Sequence, residues 1–491
     1  MVAQDQWGSK LGFILATIGS AVGIGNIWRF SSVVGQNGGG AYLIPYLFAV
    51  CVFAIPLMIL ELSIGRHFQS NVISVFTAIK EKFQIFGWLI CISVFLILSY
   101  YLVITGWTLG FVISSVTTND VSFSQFTNSY EPLLYFFLTV VITGVIVSFG
   151  IKKGIERISI FLIPFSIILL IALAVFATTL AGFSDGVAFF LTPDFSVLSN
   201  PSIWSAAFGQ AFFSLSVGFG TLITYGGYLD KKTNIPRSSL IITFSDVMIA
   251  MLAGLIIFPI VFTFSLEPTM GSELAFSTLP RAFEMMAYGQ ALAIAFFLLL
   301  FFAALTSAIS MLEVNVASIM SVTKFSRKKT SILLTVLLFF VGLPAALSYT
   351  TINLSVSGVK ILDFMDETLG TYGLPITALI VAVVFTWFVP RTVLQSEVDD
   401  SKKWVNVIYP ITKYVIPVVL IITLIAGLLL HVDIGSWRFA RSLSVLGTVA
   451  EGIGTLVVLG CLLGISLFFM RYFRGKRLAS EIISDIKMKK R

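Results

Sequence analysis

Little in this 491-residue chain carries charge: Asp, Glu, Lys and Arg together make up 11% of it, against about 25% in an ordinary soluble domain. With 57% hydrophobic residues and a mean hydropathy of +0.99, that scarcity excludes a soluble globular fold of this size. It is the composition of a polytopic membrane protein. Cysteine is scarce too. Cys51, Cys91 and Cys461 lie far apart inside apolar runs, which gives no disulfide framework and no metal cluster and leaves packing as their role. The two histidines, His67 and His431, lie near opposite ends of apolar segments, the first read as capping an inner end and the second as part of an outer loop. Without metal spacing, a nucleophile–base pair or paired acid and base groups, the chain is not read as an enzyme and has no catalytic residues. No separate cleavable leader is expected, because the first apolar segment is too long and lacks a basic start.

The charge that is present is distributed by side. The net charge of +7 comes from basic clusters at Lys80–Lys82, Lys152–Arg157, Lys231–Arg237, Lys324–Lys329, Lys402–Lys403 and the tail Arg471–Arg491. Intervening loops carry Asp120, Glu131, Asp185, Asp194, Glu267 and Glu273 instead. This alternation is the positive-inside bias. It predicts both termini in the cytoplasm of a multi-pass cell-membrane protein and argues against nucleic acid as a partner.

Segments of roughly 20 residues, the length a bilayer needs, predict about twelve spans. They fall near 11–33, 41–66, 86–114, 132–150, 157–181, 202–228, 238–264, 288–320, 330–349, 360–389, 407–430 and 446–470. The first is interrupted at mid-depth by Gly19-Ser20-Ala21-Val22-Gly23-Ile24-Gly25-Asn26, with Arg29 one turn on. An unpaired backbone amide in hydrocarbon costs several kcal/mol, so a broken helix belongs where it faces protein or water. Gly19 and Gly23 also have the spacing of a close helix-packing face. Asn26 and Arg29 favour a site over packing alone, since polar groups inside spans are expensive. Five segments later Ser214, Ser216, Gly218 and Gly220 interrupt a second span. Two breaks in corresponding positions point to an inverted-repeat transporter. The fold class is therefore all-α and polytopic, with broken helices 1 and 6 in a 5+5 inverted repeat. The halves are about 8–181 and 202–389, with helices at about 407–470 appended and a basic tail at 471–491. Helices eleven and twelve are assigned to lipid contact or to packing in a homodimer.

Other polar groups sit inside spans. Glu61 needs donors, either orphan amides of an unwound segment or, as a snorkelling residue, solvent beside Arg66. The glycines of Asn37-Gly38-Gly39-Gly40 suggest close backbone approach beside the breaks, or a flexible loop. Tyr101 reaches mid-depth in span three, where its hydroxyl needs a partner. Thr306, Ser307, Ser310 and Glu313 line one side of span eight at i, i+3 and i+4 spacing. Asp246, Asp363 and Asp366 are intramembrane carboxylates and site candidates by default, although the last two lie near an outer end where water could solvate them.

Taken together, Trp7, Leu11-Gly12-Phe13, Gly19 to Asn26 with Arg29-Phe30, Asn37 to Ala41 with Pro45-Tyr46, Ser216 to Gly220, and Leu305-Thr306-Ser307 stand in the order of one family. The chain resembles the neurotransmitter:sodium symporters, sodium-coupled carriers with the LeuT-type fold, and within them the prokaryotic amino-acid transporters. The resemblance covers spans one to ten. It implies a first sodium site from the Ala21 carbonyl, Asn26, Ser214, Asp246 and the substrate carboxylate. It implies a second from the carbonyls of Gly19, Val22 and Ala303 with the hydroxyls of Thr306 and Ser307. Oxygen ligands of these kinds suit a hard cation. The substrate carboxylate would meet the amides near Gly23 and Gly25 and the Tyr101 hydroxyl; its amino group would meet carbonyls of Ala21, Phe213 and Ser216. Ser214 and Ser307 would adjoin it, Phe213 would cover it, and Ile97, Phe219, Ser310 and Met311 would shape its side-chain end. Arg29 and Asp366 would pair as an outer gate with Tyr101 and Phe213, and Gly154 with Pro164 would open span five.

Three details refine this expectation. Gly23 stands where amine-transporting relatives place an Asp, which favours an α-amino acid. Asp246, with Ala250 one turn on, stands where chloride-dependent relatives have Asn and Ser, so no chloride requirement is expected; a register slip of one residue would put Ser245 there instead. Gln4 and Ser321 occupy the positions of the family's inner ion pair, for which Asp5 or Lys10 could substitute. The resulting expectation is a symporter of neutral, hydrophobic α-amino acids, aliphatic or aromatic, driven by two Na⁺. Its rivals are an amino-acid-binding sensor of the same fold, signalling through the tail, and an ion or water channel, against which the apolar lids Phe213 and Tyr101 argue.

Overall fold

The computed structural model describes residues 5–117, 122–266, 274–356, 358–398, 402–430, 460 and 462–472. Gln4, Asp120, Glu267, Glu273, His431, Cys461, most of the twelfth expected span and the tail beyond 472 lie outside these residues. Among the described residues nine helices are long and apolar enough to cross a bilayer. Two further spans are broken. The first consists of α1 (Lys10–Ala21) and α2 (Gly25–Gln36), bent by 56°. Next come α3 (Gly40–Phe68), α4 (Glu81–Thr117), α5 (Glu131–Ser148) and α6 (Ile151–Ala177). The second broken span is α7 (Pro201–Ser214) and α8 (Thr221–Gly227). After it follow α9 (Ile235–Thr263), α10 (Gly289–Val322), α11 (Arg327–Leu347), α12 (Ile361–Trp387) and α13 (Trp404–Ile425). A short apolar helix, Leu462–Tyr472, lies where the twelfth span is expected. The strands among the described residues are β1 (Ser355–Val356) and β2 (Val359–Lys360), an antiparallel hairpin beside α12.

Local chemistry sets the ends of these helices. Ser9 caps α1 by accepting from the Gly12 amide, Asn234 caps α9, and Ser326 caps α11 through the Lys329 amide; each satisfies an amide that the helix itself cannot. Several spans are not plain α-helix. Gly25–Arg29, Val50–Ala54, Ile151–Glu156 and Asp366–Gly373 are wound as π-helix, a form that concentrates at functional sites.

Helices α4 and α10 form the centre. The α10 segment from Ala303 to Ser318 is buried on every side, as expected of a helix enclosed by others. Phe161 and Ile168 of α6, Phe340 of α11 and Ile422 of α13 are exposed and face outwards. Between α3 and α8 the backbones touch: a Cβ at Gly226 would lie 2.6 Å from the Leu62 carbonyl and one at Gly65 would overlap the Ile223 carbonyl. Only glycine permits that approach.

Candidate functional site

At the first break α1 stops at Ala21, and Val22 turns extended with φ −75° and ψ 105°. Its last carbonyls therefore lack helical partners and point at α10. The Ser307 hydroxyl lies 3.2 Å from the carbonyl oxygens of Gly19 and Ala303 and 3.3 Å from those of Ser20 and Val22. A hydroxyl has one proton; Ser20 O also accepts from Ser216 and Ala303 O from Thr306, which leaves the Gly19 and Val22 carbonyls sharing the Ser307 donor. Thr306 adds an oxygen beside them, its Oγ1 donating to Phe302 O and Ala303 O at 3.0 and 3.1 Å. The donor set is rich in neutral oxygen and poor in protons. A small hard cation fits it.

A carboxylate sits at the second cluster. Asp246 of α9 is fully buried and accepts from Asn26 Nδ2 at 2.6 Å and from the Ser214 hydroxyl at 2.7 Å. Asn26 also donates to Ser214 Oγ at 2.8 Å, and its own Oδ1 accepts from the Gly23 amide at 3.1 Å. One side chain from each broken span is thus tied to one carboxylate. Asp246, rather than Ser245, faces the breaks; Ser245 is directed away from them and donates to Ile241 O within its own helix.

Between these clusters lies the space the sequence assigns to substrate. A Cβ at Gly23 would stand 2.9 Å from both the Ser307 and Tyr101 hydroxyls, and one at Gly25 would stand 2.6 Å from the Phe213 ring. The Ile24 amide approaches Tyr101 at 3.5 Å. Phe213 packs edge-on against Phe219 at 6.2 Å. Ile97, Phe219 and Met311 are buried. Ser310, the polar member of the side-chain end, is already committed. It donates to Ser307 O at 2.8 Å and accepts from the Ser20 hydroxyl at 2.8 Å, while Ser216 donates to Ser20 O at 2.8 Å. That end is therefore apolar in effect.

Other expected residues fall in less expected places. Arg29 and Asp366 do not form an ion pair within 4 Å in this structure. Arg29 lies 4.4 Å over the Phe213 ring, a cation–π contact, and Asp366 accepts from Tyr100 at 2.9 Å. Asp366 opens the π-wound stretch Asp366–Gly373 of α12. Asp363, for which solvation was open, is buried, with its two oxygens 2.9 and 3.0 Å from the single hydroxyl donor of Tyr349. Glu61 takes the Gly218 amide of the second break at 2.8 Å, while Arg66 pairs with Glu397 at 2.6 Å. His67 lies in the last turn of α3, 3.3 Å from Glu397. Glu313 is buried and clamped by Arg327 at 2.6 and 3.0 Å and by Tyr228 at 2.6 Å. Asp5 joins the same arginine at 2.6 Å.

Some participants left no clear mark in the sequence. Ser20 is one small residue among several at the first break, yet its hydroxyl donates to Ser310 of α10 and its carbonyl accepts from Ser216 of the second break. Gln210 donates to the Gly25 carbonyl at 3.2 Å, and Arg327 gave no sign beyond its place in a basic loop. A polar residue repeated on one helical face could have flagged Gln210, one turn before Ser214.

The geometry matches known proteins closely. A model of the sodium:neurotransmitter symporter family matches residues 4–133 and 123–474. The uncharacterized sodium-dependent transporter YhdH of Bacillus subtilis is 35% identical over 438 residues, 85% of this chain and 96% of that one. The sodium-dependent neutral amino acid transporter B(0)AT2 of Bos taurus is 31% identical over 296 residues, 52% of this chain and 41% of its own. Among solved structures, MhsT in complex with L-phenylalanine superposes with a TM-score of 0.80 at 38% identity, covering 87% of this chain and 100% of that one.

Proposed function

The chain belongs to the sodium:neurotransmitter symporter family, a multi-pass membrane family of sodium-dependent transporters, and from that premise we propose that it carries a neutral, hydrophobic α-amino acid with Na⁺ by alternating access, without chloride. The observation that carries the reading is the cluster of carbonyl oxygens around Ser307, in which Gly19 and Val22 share its single proton. A cation would supply the charge those oxygens lack. In this reading Gly19, Val22, Ala303, Thr306 and Ser307 hold one Na⁺, and Ala21, Asn26, Ser214 and Asp246 hold another beside the substrate carboxylate. Each Na⁺ entering down ~100 mV supplies about 2.3 kcal/mol.

The substrate class follows from space and polarity. At Gly23 even a Cβ would stand 2.9 Å from the Tyr101 and Ser307 hydroxyls, so the chain supplies no side-chain carboxylate there and, in this reading, the substrate's own carboxylate meets that surface. The opposite end is lined by Ile97, Phe219 and Met311, with the Ser310 hydroxyl already satisfied. L-Phenylalanine, the ligand in the MhsT complex, has the form such a pocket would take. Chloride independence rests on Asp246. A fixed charge at ~4 Å and an effective dielectric of ~20 is worth about 4 kcal/mol, which makes a mobile counter-anion unnecessary. The reading treats 8–181 and 202–389 as the moving halves, sets both termini in the cytoplasm, and leaves the appended helices to lipid or homodimer contact.

Binding of radiolabelled L-phenylalanine and L-leucine to the purified protein tests it, in Na⁺ or K⁺ and in chloride or gluconate. Saturable binding in Na⁺ with either anion is the expected result. A chloride requirement would remove the Asp246 argument and keep the symporter. Binding without uptake into proteoliposomes under a Na⁺ gradient would favour the sensor.

A further inference from the structure

Lys413 is a cation on a membrane-spanning helix, half-buried on α13. Charged groups inside spans normally turn inward to an opposite charge. Its ammonium has aromatic company instead. It stands 5.2 Å from the Trp387 ring, 5.3 Å from Tyr409 and 5.6 Å from Tyr414, near the ~6 Å limit of a cation–π contact. Its hydrogen bond to the Tyr409 hydroxyl is 3.5 Å long, and that hydroxyl already donates to Thr386 O at 2.8 Å.

A second cation shares the Tyr409 ring. Arg391, in the short helix Arg391–Glu397, lies 5.4 Å from its centroid. One guanidinium nitrogen reaches Asn406, but Nε is buried with no partner among the described residues. Two positive groups on one ring repel each other unless an anion joins them. Among the described residues neither is in an ion pair, and Glu397, the acid nearest Arg391 in sequence, is held by Arg66 and His67. The charge here is unmet. Beside it, Tyr414, Val418, Ile421, Ile422 and Ile425 are exposed and form one stripe along α13 at i, i+4, i+7, i+8 and i+11. That stripe runs roughly 17 Å at ~1.5 Å per residue, about one leaflet of a ~30 Å hydrocarbon core. Lys80 lies 4.4 Å over Phe388, next to Trp387, so the cations cluster at this end of α12.

We propose that this cluster binds the headgroup of an anionic glycerophospholipid, its phosphate between Lys413 and Arg391 and one acyl chain along the α13 stripe. The phosphate accepts from the Lys413 ammonium and from the free Arg391 Nε, both charge-assisted bonds, and the exposed Trp387 and Tyr414 rings flank it as interfacial aromatics do. A net-negative headgroup suits two cations, whereas a choline headgroup would bring a third positive charge against them. The apolar stripe selects a lipid over a soluble phosphate, because only a lipid fills both parts. The site is independent of which solute the protein carries.

The test sets two lipids against each other on the purified, delipidated full chain. Native mass spectrometry follows addition of equal amounts of dioleoylphosphatidylglycerol and dioleoylphosphatidylcholine. The parent is expected to retain one phosphatidylglycerol with a preference of at least about fivefold. Lys413→Gln and Arg391→Gln should each cut that preference to within about twofold, and the double variant should go no lower. Lys413→Arg, which keeps the charge, should preserve it. Lys231→Gln, which removes one charge from an exposed loop, should leave it unchanged. Thermal unfolding gives a second readout: phosphatidylglycerol should raise the midpoint of the parent by several degrees and that of Lys413→Gln hardly at all. Glycerol 3-phosphate at the same concentration should raise neither. Equal retention of the two lipids by the parent would overturn the proposal, and so would an equal loss of preference in Lys231→Gln. Two further results would also sink it. Stabilisation by glycerol 3-phosphate would mark a soluble-phosphate site, and a lipid-free dimer broken by Lys413→Gln would give the face to a second copy of the chain.

Discussion

The two broken helices look alike in sequence and behave differently in the structure. The first break is short and uses no left-handed backbone; it leaves the carbonyls of Gly19 and Val22 competing for one hydroxyl proton. The second is longer and needs positive φ at Ser216, Gly218 and Gly220, yet protein groups answer it. Glu61 takes its Gly218 amide, and Ser216 is tied back to the first break. The first break is unfinished in that two of its carbonyls share one donor, and the second is finished in that its Gly218 amide and Ser216 hydroxyl each have an acceptor in the protein. Small residues in a span therefore announce a break; only an account of its donors and acceptors says whether something must bind there.

Substitutions can pull this contrast apart. The largest effect is expected at Asp246, which both breaks share. Asp246→Ala leaves Asn26 and Ser214 without their acceptor and removes the buried charge, so Na⁺-dependent L-phenylalanine binding should weaken at least 100-fold. In Asp246→Ser, chloride should restore part of it, measured as binding in chloride against gluconate. Next is Ser307→Ala at the unfinished break. Losing one oxygen of the carbonyl set should raise the Na⁺ midpoint about tenfold, the equivalent of about 1.4 kcal/mol, while the melting temperature moves little. Glu61→Gln at the finished break should show the reverse. It keeps an acceptor for Gly218 and sacrifices a charge-assisted bond, so a loss of about 1–2 kcal/mol in stability should appear in thermal unfolding with a nearly unchanged Na⁺ midpoint. Smallest is Ser216→Gly. Relief of a left-handed backbone, worth about 1 kcal/mol, offsets the lost bond to Ser20 O, worth about 1 kcal/mol, and unfolding should shift within ~1 kcal/mol. If Ser307→Ala destabilised the fold as much as Glu61→Gln, the two breaks would be equivalent after all.

Most of the architecture was legible in the sequence because hydrocarbon is a strict solvent. Apolar length gave the spans, and Gly19 to Asn26 and Ser214 to Gly220 gave both interruptions where the helices do stop. Candidate site residues stood out where a polar group had no excuse to be in a span, as with Asp246 and Ser307, which lie at the breaks. What escaped depends on distance between segments. Glu61 could have answered water or an amide, and only the packing of α3 against the second break chose Gly218. Arg29 and Asp366 are opposite charges, yet in this structure one lies over the Phe213 ring and the other accepts from the Tyr100 hydroxyl. Glu156 read as one acid in a basic loop, because its partners are a backbone amide and a hydroxyl far away in sequence.

The glycine contact between α3 and α8 has a mechanical meaning. With main chain against main chain at Gly65 and Gly226, no side chain remains between the helices to flex or change rotamer, so the pair is welded. A tilt of α8 at the second break would therefore reach the α3 main chain directly at Gly65. Helix α3 has 29 residues and so reaches roughly 44 Å at ~1.5 Å per residue. Such a helix would act as a lever toward the opposite face of the membrane, with the π-wound Val50–Ala54 as the place along it where a bend could be taken up.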